Sequence, residues 1–183
     1  MAKSRETIIL ETNKSIYTII IHRVPHGHGF AWGGTQDREY RGRIELTPDP
    51  QAGLIIADDI ILEEYLYSVL PAEMPRHSPL EALKAQAVIA RSEAMYRKQY
   101  EEVHNQHPYD LCDGQHCQVY GGLSVERPQE RRAVNETRGI ILTHQSELVH
   151  ALFHANCGGH TQTAKEIVGW TGEPYLESAP DTD

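Results

Sequence analysis

Apolar and polar positions follow a two-residue period over the first third of the chain and a helical period after it. Residues 7–11 (TIILE) and 15–24 (SIYTIIIHRV) flank Thr12-Asn13-Lys14, which predicts a hairpin turning on Asn13. Residues 25–34 (PHGHGFAWGG) hold four glycines and a proline and read as a loop. From 40 to 46 the alternation is clean, with Tyr40, Gly42, Ile44 and Leu46 on one face and Arg41, Arg43 and Glu45 on the other, as in a half-buried strand. Pro48-Asp49-Pro50 then turns the chain into a short strand at 53–57.

Beyond this point Ile61, Tyr65 and Val69 recur every four residues, which predicts a helix from Ile60 to about Leu70, capped by Asp58 or Asp59 and ended by Pro71. Ser78-Pro79-Leu80-Glu81 has the form of a capping box with proline in the first turn, so a second helix is expected from Pro79 to about Tyr100. Its stripe of Leu80, Leu83, Ala87, Ala90 and Ala94 is narrow enough for close packing. A third helix is expected at 124–138, stopped by Gly139, followed by a second hairpin at 140–143 and 148–153. The whole reads as an α+β fold. No internal repeat or low-complexity segment interrupts it.

Composition narrows the function. The 183 residues carry 17 Lys+Arg against 26 Asp+Glu, a net charge of −9, with 39% hydrophobic and 23% charged residues. That balance fits a globular chain and argues against nucleic acid, whose phosphates demand clustered Lys and Arg. Apolar runs reach only four or five residues, far short of the roughly 20 that cross a bilayer. Residues 1–7 (MAKSRET) lack the apolar core of a signal peptide. Taken alone, this favours a cytosolic protein over an exported one whose signal is missing.

Four constellations could carry chemistry. In Val69-Leu70-Pro71-Ala72-Glu73-Met74-Pro75 a carboxylate sits between two prolines and among apolar side chains, an environment that favours the neutral acid. An exposed loop glutamate is the plainer reading. Cys112-Asp113-Gly114-Gln115-His116-Cys117, with His104 and His107 upstream, offers the N and S donors that tetrahedral zinc takes. A Cys112–Cys117 disulfide, or an unbound reduced pair, competes with it. His154-Ala155-Asn156-Cys157-Gly158-Gly159-His160-Thr161 combines a thiol, two histidines and a Gly-Gly pair; it suits a thiol nucleophile, a metal ligand or a turn with a buried cysteine. Gln86 and Arg91 lie beside the alanine stripe, and a buried Arg91 would require a carboxylate such as Glu73 or a substrate group.

Taken together these segments resemble the SpoIID/LytB family, the domain of the stage II sporulation protein D. The match runs from Tyr40-Arg41-Gly42 through Glu64-Tyr65-Leu66 and Val69-Leu70-Pro71-Ala72-Glu73-Met74 to Leu80-Glu81-Ala82-Leu83-Lys84-Ala85-Gln86-Ala87-Val88 and Ala90-Arg91. It continues with Tyr109-Asp110-Leu111-Cys112, His116-Cys117-Gln118-Val119-Tyr120-Gly121-Gly122, Thr137-Arg138-Gly139, Cys157-Gly158-Gly159-His160-Thr161 and Pro174-Tyr175-Leu176. It covers about residues 40–183, leaving 1–39 as an N-terminal β appendage.

The resemblance implies a lytic transglycosylase on peptidoglycan glycan strands, especially strands stripped of stem peptides, with Glu73 as catalytic acid/base. It implies a site-shaping zinc on Cys112, His116 and Cys117 with His107 or His104 as the fourth ligand, and substrate contacts from Gln86, Arg91, Tyr120, Gly158, Gly159, His160 and Thr161. It also implies an extracytoplasmic location, protein partners in the wall machinery and, on the LytB side, a rival role as a non-catalytic wall-binding module or amidase enhancer. Ser92-Glu93 replaces the family's frequent Thr-Tyr pair, and His154-Ala155-Asn156-Cys157 its serine-rich approach to Gly-Gly. Family members usually continue beyond residues 174–181, so a chain cut from something longer is expected.

Overall fold

The computed structural model of the chain describes residues 6–12, 17–27, 31, 33–51, 53–101, 104–166 and 173–181. The elements run in the order β1 (Ile8–Glu11), β2 (Thr18–His26), β3 (Gly34–Arg41), β4 (Arg43–Asp49), β5 (Gly53–Asp59), α1 (Leu62–Glu73), α2 (Leu80–Tyr100), α3 (Pro128–Glu136), β6 (Thr143–His144) and β7 (Glu147–Leu148). Short 3-10 turns occupy Leu123–Val125 and Ala164–Glu166. Small sheets and three helices make this an α+β fold.

The expected first hairpin does not form. β1 pairs antiparallel with β4, and β2 pairs with β3; of the expected turn, Asn13 and Lys14 lie outside the described residues. Two adjacent apolar runs announce two strands but not their partners, because any strand with a matching apolar face can supply the ladder. The strand expected at 40–46 is also two strands. Gly42, with φ +73°, turns the chain out of the β2–β3 pair and into the β1–β4–β5 sheet, a conformation that L side chains resist. The apolar face was read correctly: Tyr40 and Ile44 are buried.

Helix α1 runs through Pro71 and ends at Glu73 instead of stopping before the proline. Pro71 lacks the N–H that would reach back to the previous turn. Burial of Leu70 and Pro71 in the core offsets that loss, and the Arg127 guanidinium donates to the Pro71 carbonyl at 3.0 Å. Asp58 and Asp59 close β5 instead of capping α1, whose N-cap is Ile61. The Ser78 capping box is likewise not formed: Ser78 Oγ donates to the Pro75 carbonyl, and Glu81 pairs with Lys84. Helix α2 otherwise spans the expected residues. Helix α3 is shorter than expected because Pro128 stands in its first turn. The second hairpin contracts to two residues a side, turning on Gln145 and Ser146, both at positive φ.

The core forms where the helices meet the end of the sheet. Leu66, Val69 and Leu70 of α1, Leu83, Ala87 and Ala90 of α2, Ala133 and Val134 of α3 and Ile44 of β4 are essentially inaccessible. Each large aliphatic side chain among them contributes about 1.5–3 kcal/mol. The alanine stripe lets α2 approach its neighbours closely enough for the Arg91 guanidinium to cross between all three helices.

Candidate functional site

Glu73 is the last residue of α1, half-buried, with Met74 N–H closing the final turn on the Leu70 carbonyl. Burial pushes its carboxyl above the usual range, and a hydrogen bond from the Val119 N–H pulls it partly back. The segment supplying that N–H is pinned along α1 and α2. Tyr65 Oη donates to Gln118 Oε1 at 3.2 Å, Gln118 Nε2 donates to the Ala90 carbonyl at 3.3 Å, and Gly121 N–H donates to Ser68 Oγ at 2.9 Å. Tyr120 stacks on Tyr65 with ring centroids 5.3 Å apart. At the end of this segment Gly122 passes so close to β3 that an added Cβ would lie 2.5 Å from the Glu39 carbonyl oxygen.

The same segment begins at the Cys/His cluster. His104, Cys112, His116 and Cys117 each offer a ligand atom, all within 4.8 Å of one another. His104 Nε2 lies 3.2 Å from Cys117 Sγ, and His116 Nδ1 lies 3.5 Å from Cys117 Sγ and 3.8 Å from Cys112 Sγ. Tetrahedral zinc with S and N ligands separates neighbouring donors by roughly 3.5 Å, so these residues fit the ion. Gly114 permits the reversal: its carbonyl accepts the Cys117 N–H. The cysteines are free thiols, so the disulfide alternative is not realised. Cys117 donates to Cys112, which holds the Cys112 thiol well below its ordinary value and pushes Cys117 up. The fourth member is His104. His107 is not in the cluster and stacks on Tyr109 instead, a choice that spacing alone left open.

The other candidates are placed as follows. Arg91 is paired with Glu63, at 2.8 and 3.1 Å, and not with Glu73; it also donates to the Ala87, Val134 and Ile140 carbonyls. At 1% exposure it offers no donor to a ligand. Gln86 is partly exposed, with its Nε2 buried and unpartnered. Tyr120 is buried, and its hydroxyl donates to Asp58 Oδ2 at 2.6 Å. Gly158 N–H donates to Asn156 Oδ1 at 2.7 Å, while Gly159, His160 and Thr161 are held to the 178–181 segment: Thr161 N–H donates to the Ala179 carbonyl, Asp181 N–H donates to the Gly159 carbonyl, and His160 Nδ1 lies 2.9 Å from Ser178 Oγ. Cys157 donates to Asp181 Oδ2 at 3.1 Å.

Three residues carried no sequence signal of the contacts they make. Glu63 lies 28 residues from Arg91. Asp58 read as a helix cap, yet burial raises its carboxyl to about 6. Gln118 stood beside Cys117 but nothing local announced its clamp between two helices. A cavity of about 950 Å³ opens between β5 and the 104–113 loop, and Glu73 is not among its lining residues.

The SpoIID profile, described as stage II sporulation protein, matches residues 51–144. This chain belongs to the SpoIID family. The matched stretch contains α1 with Glu73, the Cys/His cluster and the segment between them. An uncharacterised protein of Brachyspira hyodysenteriae is 36% identical over 148 residues, 81% of this chain and 38% of that protein. The amidase enhancer of Bacillus subtilis is 34% identical over 118 residues, 64% of this chain and 15% of that protein. The stage II sporulation protein D of Bacillus subtilis is 35% identical over 136 residues, 66% of this chain and 38% of that protein. The chain thus spans well under half the length of these relatives. No solved structure matches it.

Proposed function

We propose that this member of a family with a cell-wall-related role is a lytic transglycosylase outside the cytoplasm, cutting peptidoglycan glycan between N-acetylmuramic acid and N-acetylglucosamine. The observation that carries the reading is the environment of Glu73. A half-buried carboxyl, raised by desolvation and held at a helix end, keeps its proton to higher pH than a solvated glutamate, as a general acid requires.

The Glu73 carboxyl protonates the bridging oxygen as the bond from the muramyl C1 breaks. The resulting carboxylate takes the proton of the muramyl 6-hydroxyl as that oxygen attacks C1, which closes a 1,6-anhydro ring and returns Glu73 to its acid form. No water is consumed, so one carboxylate suffices where glycoside hydrolases use two. The Val119 N–H stabilises the transient carboxylate between the two transfers.

Zinc is proposed on His104, Cys112, His116 and Cys117, where it would supply a rigid link across the loop that leads into Gln118 and Val119. It takes no part in the proton transfers. Arg91 is left to the core, and Gln86, Gly158–Thr161 and Tyr120 remain candidates for contacting substrate.

Mass spectrometry of products from denuded glycan strands tests the assignment. Wild-type protein is expected to release 1,6-anhydro ends, and Glu73→Gln, isosteric and still folded by circular dichroism, is expected to lose at least about 10³-fold of the rate. Full activity in Glu73→Gln removes the proposal. The amidase-enhancer relative favours a second reading, a non-catalytic wall module that stimulates an amidase. Absence of any soluble product from purified strands, together with stimulation of an added amidase, would select it.

A further inference from the structure

β5 is an edge strand. It pairs with β4 on one side and with no other strand among the described residues. Seven consecutive residues, 54–60, line the 950 Å³ cavity. Side chains of both faces of β5 therefore border it, so the cavity runs along the strand's free edge, where unpaired main-chain N–H and C=O groups lie. The rest of its lining includes the 104–113 loop, the C-terminal part of α2, and Ile21, Val24, Pro25, Tyr40, Ile44 and Glu45 of β2, β3 and β4.

Edges in stable proteins are blunted by proline, lysine or a covering element. Gly53–Asp59 has no proline, and its only charges, Asp58 and Asp59, stand at its C-terminal end. The register puts Ile8, Leu10, Ile44, Leu46, Leu54, Ile56 and Asp58 on one face of the sheet. Helices cover it at Ile44, but Leu54 and Ile56 are about half exposed, which leaves an apolar strip beside the edge.

The strip ends at a carboxylate with one partner short. Asp58 Oδ2 accepts from Tyr120, while Oδ1 is buried with no hydrogen bond. Neighbouring cations pair with other carboxylates of the rim: Lys98 with Asp110 at 2.6 Å, Arg38 with Asp113 at 2.5 Å, and Arg43 with Glu45 at 2.8 Å and Asp59 at 3.4 Å, while Arg41 pairs with Glu126. Among the described carboxylates of the rim, Asp58 is thus the one left without an ion pair, on a chain of net charge −9.

We infer that the free edge of β5 receives an extended segment of a partner protein as an added strand, apolar opposite Leu54 and Ile56 and cationic beside Asp58. Main-chain hydrogen bonds would supply affinity, and the alternate side chains the selectivity. A second copy of this acidic chain brings the wrong charge. This inference does not depend on the reaction at Glu73, which lies outside the cavity.

The probe is a short fluorescein-labelled peptide of alternating valine and threonine with one central lysine. Fluorescence anisotropy should detect its binding, and hydrogen exchange should show new protection at amides of residues 53–59 of the wild-type chain. Methylating alternate peptide nitrogens, or replacing the lysine by glutamate, should each weaken binding about tenfold. Asp58→Asn should abolish the preference for lysine over glutamate while sensitivity to N-methylation persists. Equal binding of the methylated peptide, protection confined to other residues, no binding at all, or a dimer already protected at 53–59 would each overturn the inference.

Discussion

Glu63 and Arg91 share the most buried ion pair among the described residues, and Glu63 Oε1 also accepts the Gly139 N–H at 3.2 Å. Removing one partner leaves a charge stranded in the core, which typically costs 3–5 kcal/mol. Arg91→Met should lower the free energy of unfolding in urea by about that much. Asp58 makes a pH prediction. Its carboxyl is raised from 3.8 to about 6, chiefly by burial. A raised folded value means that the native state binds more protons than the unfolded chain between these limits, so stability falls as pH rises through the window. In Asp58→Asn that part of the decline should vanish, as urea midpoints across pH 3.5–7 would record. Of these residues, Glu73 and the cysteines were legible in sequence because their chemistry is dense locally. Glu63 was not, since its partner is brought up only by helix packing.

Two glycines separate conformation from contact at the level of the elements. Gly42 and Gly122 both have positive φ, but a Cβ on Gly42 meets open space, whereas one on Gly122 runs into the Glu39 carbonyl. Gly42→Ala should therefore cost about 1–2 kcal/mol, the left-handed penalty alone. Gly122→Ala adds overpacking and should cost about 2–5 kcal/mol; chemical denaturation of the two variants side by side measures the difference. The periodicities found the helices because α2 has one continuous apolar stripe. They failed at Pro71 and at the capping signals because a proline or a Ser-x-x-Glu sets only a local preference, which packing of α1 onto α2 and α3 overrides. The strands were recognisable, but β1 chose β4 as its partner through the shared face of Ile8 and Leu10 with Leu46 and Ile44, and pairing over that separation leaves no local mark.

The Cys/His loop, the 118–121 segment and α1 act as one unit in the whole molecule. Metal removal should therefore be read out by thiol reactivity. The zinc-loaded chain should show one reactive thiol, the half-buried Cys157, and a chelated chain all three cysteines; a thiol count unchanged by chelation would contradict the metal proposal. The sequence by itself determined the family and the α+β class, and it singled out Glu73 and three of the four residues that the fold clusters, Cys112, His116 and Cys117. These rest on residue types at short spacing, where chain connectivity already brings the groups together. Only the tertiary structure decided for His104 over His107, for Glu63 as the partner of Arg91, for Asp58 as a buried acid and for an open β5 edge beside a cavity. Each of these depends on segments far apart in the chain meeting, and burial, the physical quantity that sets their pKa values and leaves Asp58 short of a partner, exists only once they have met.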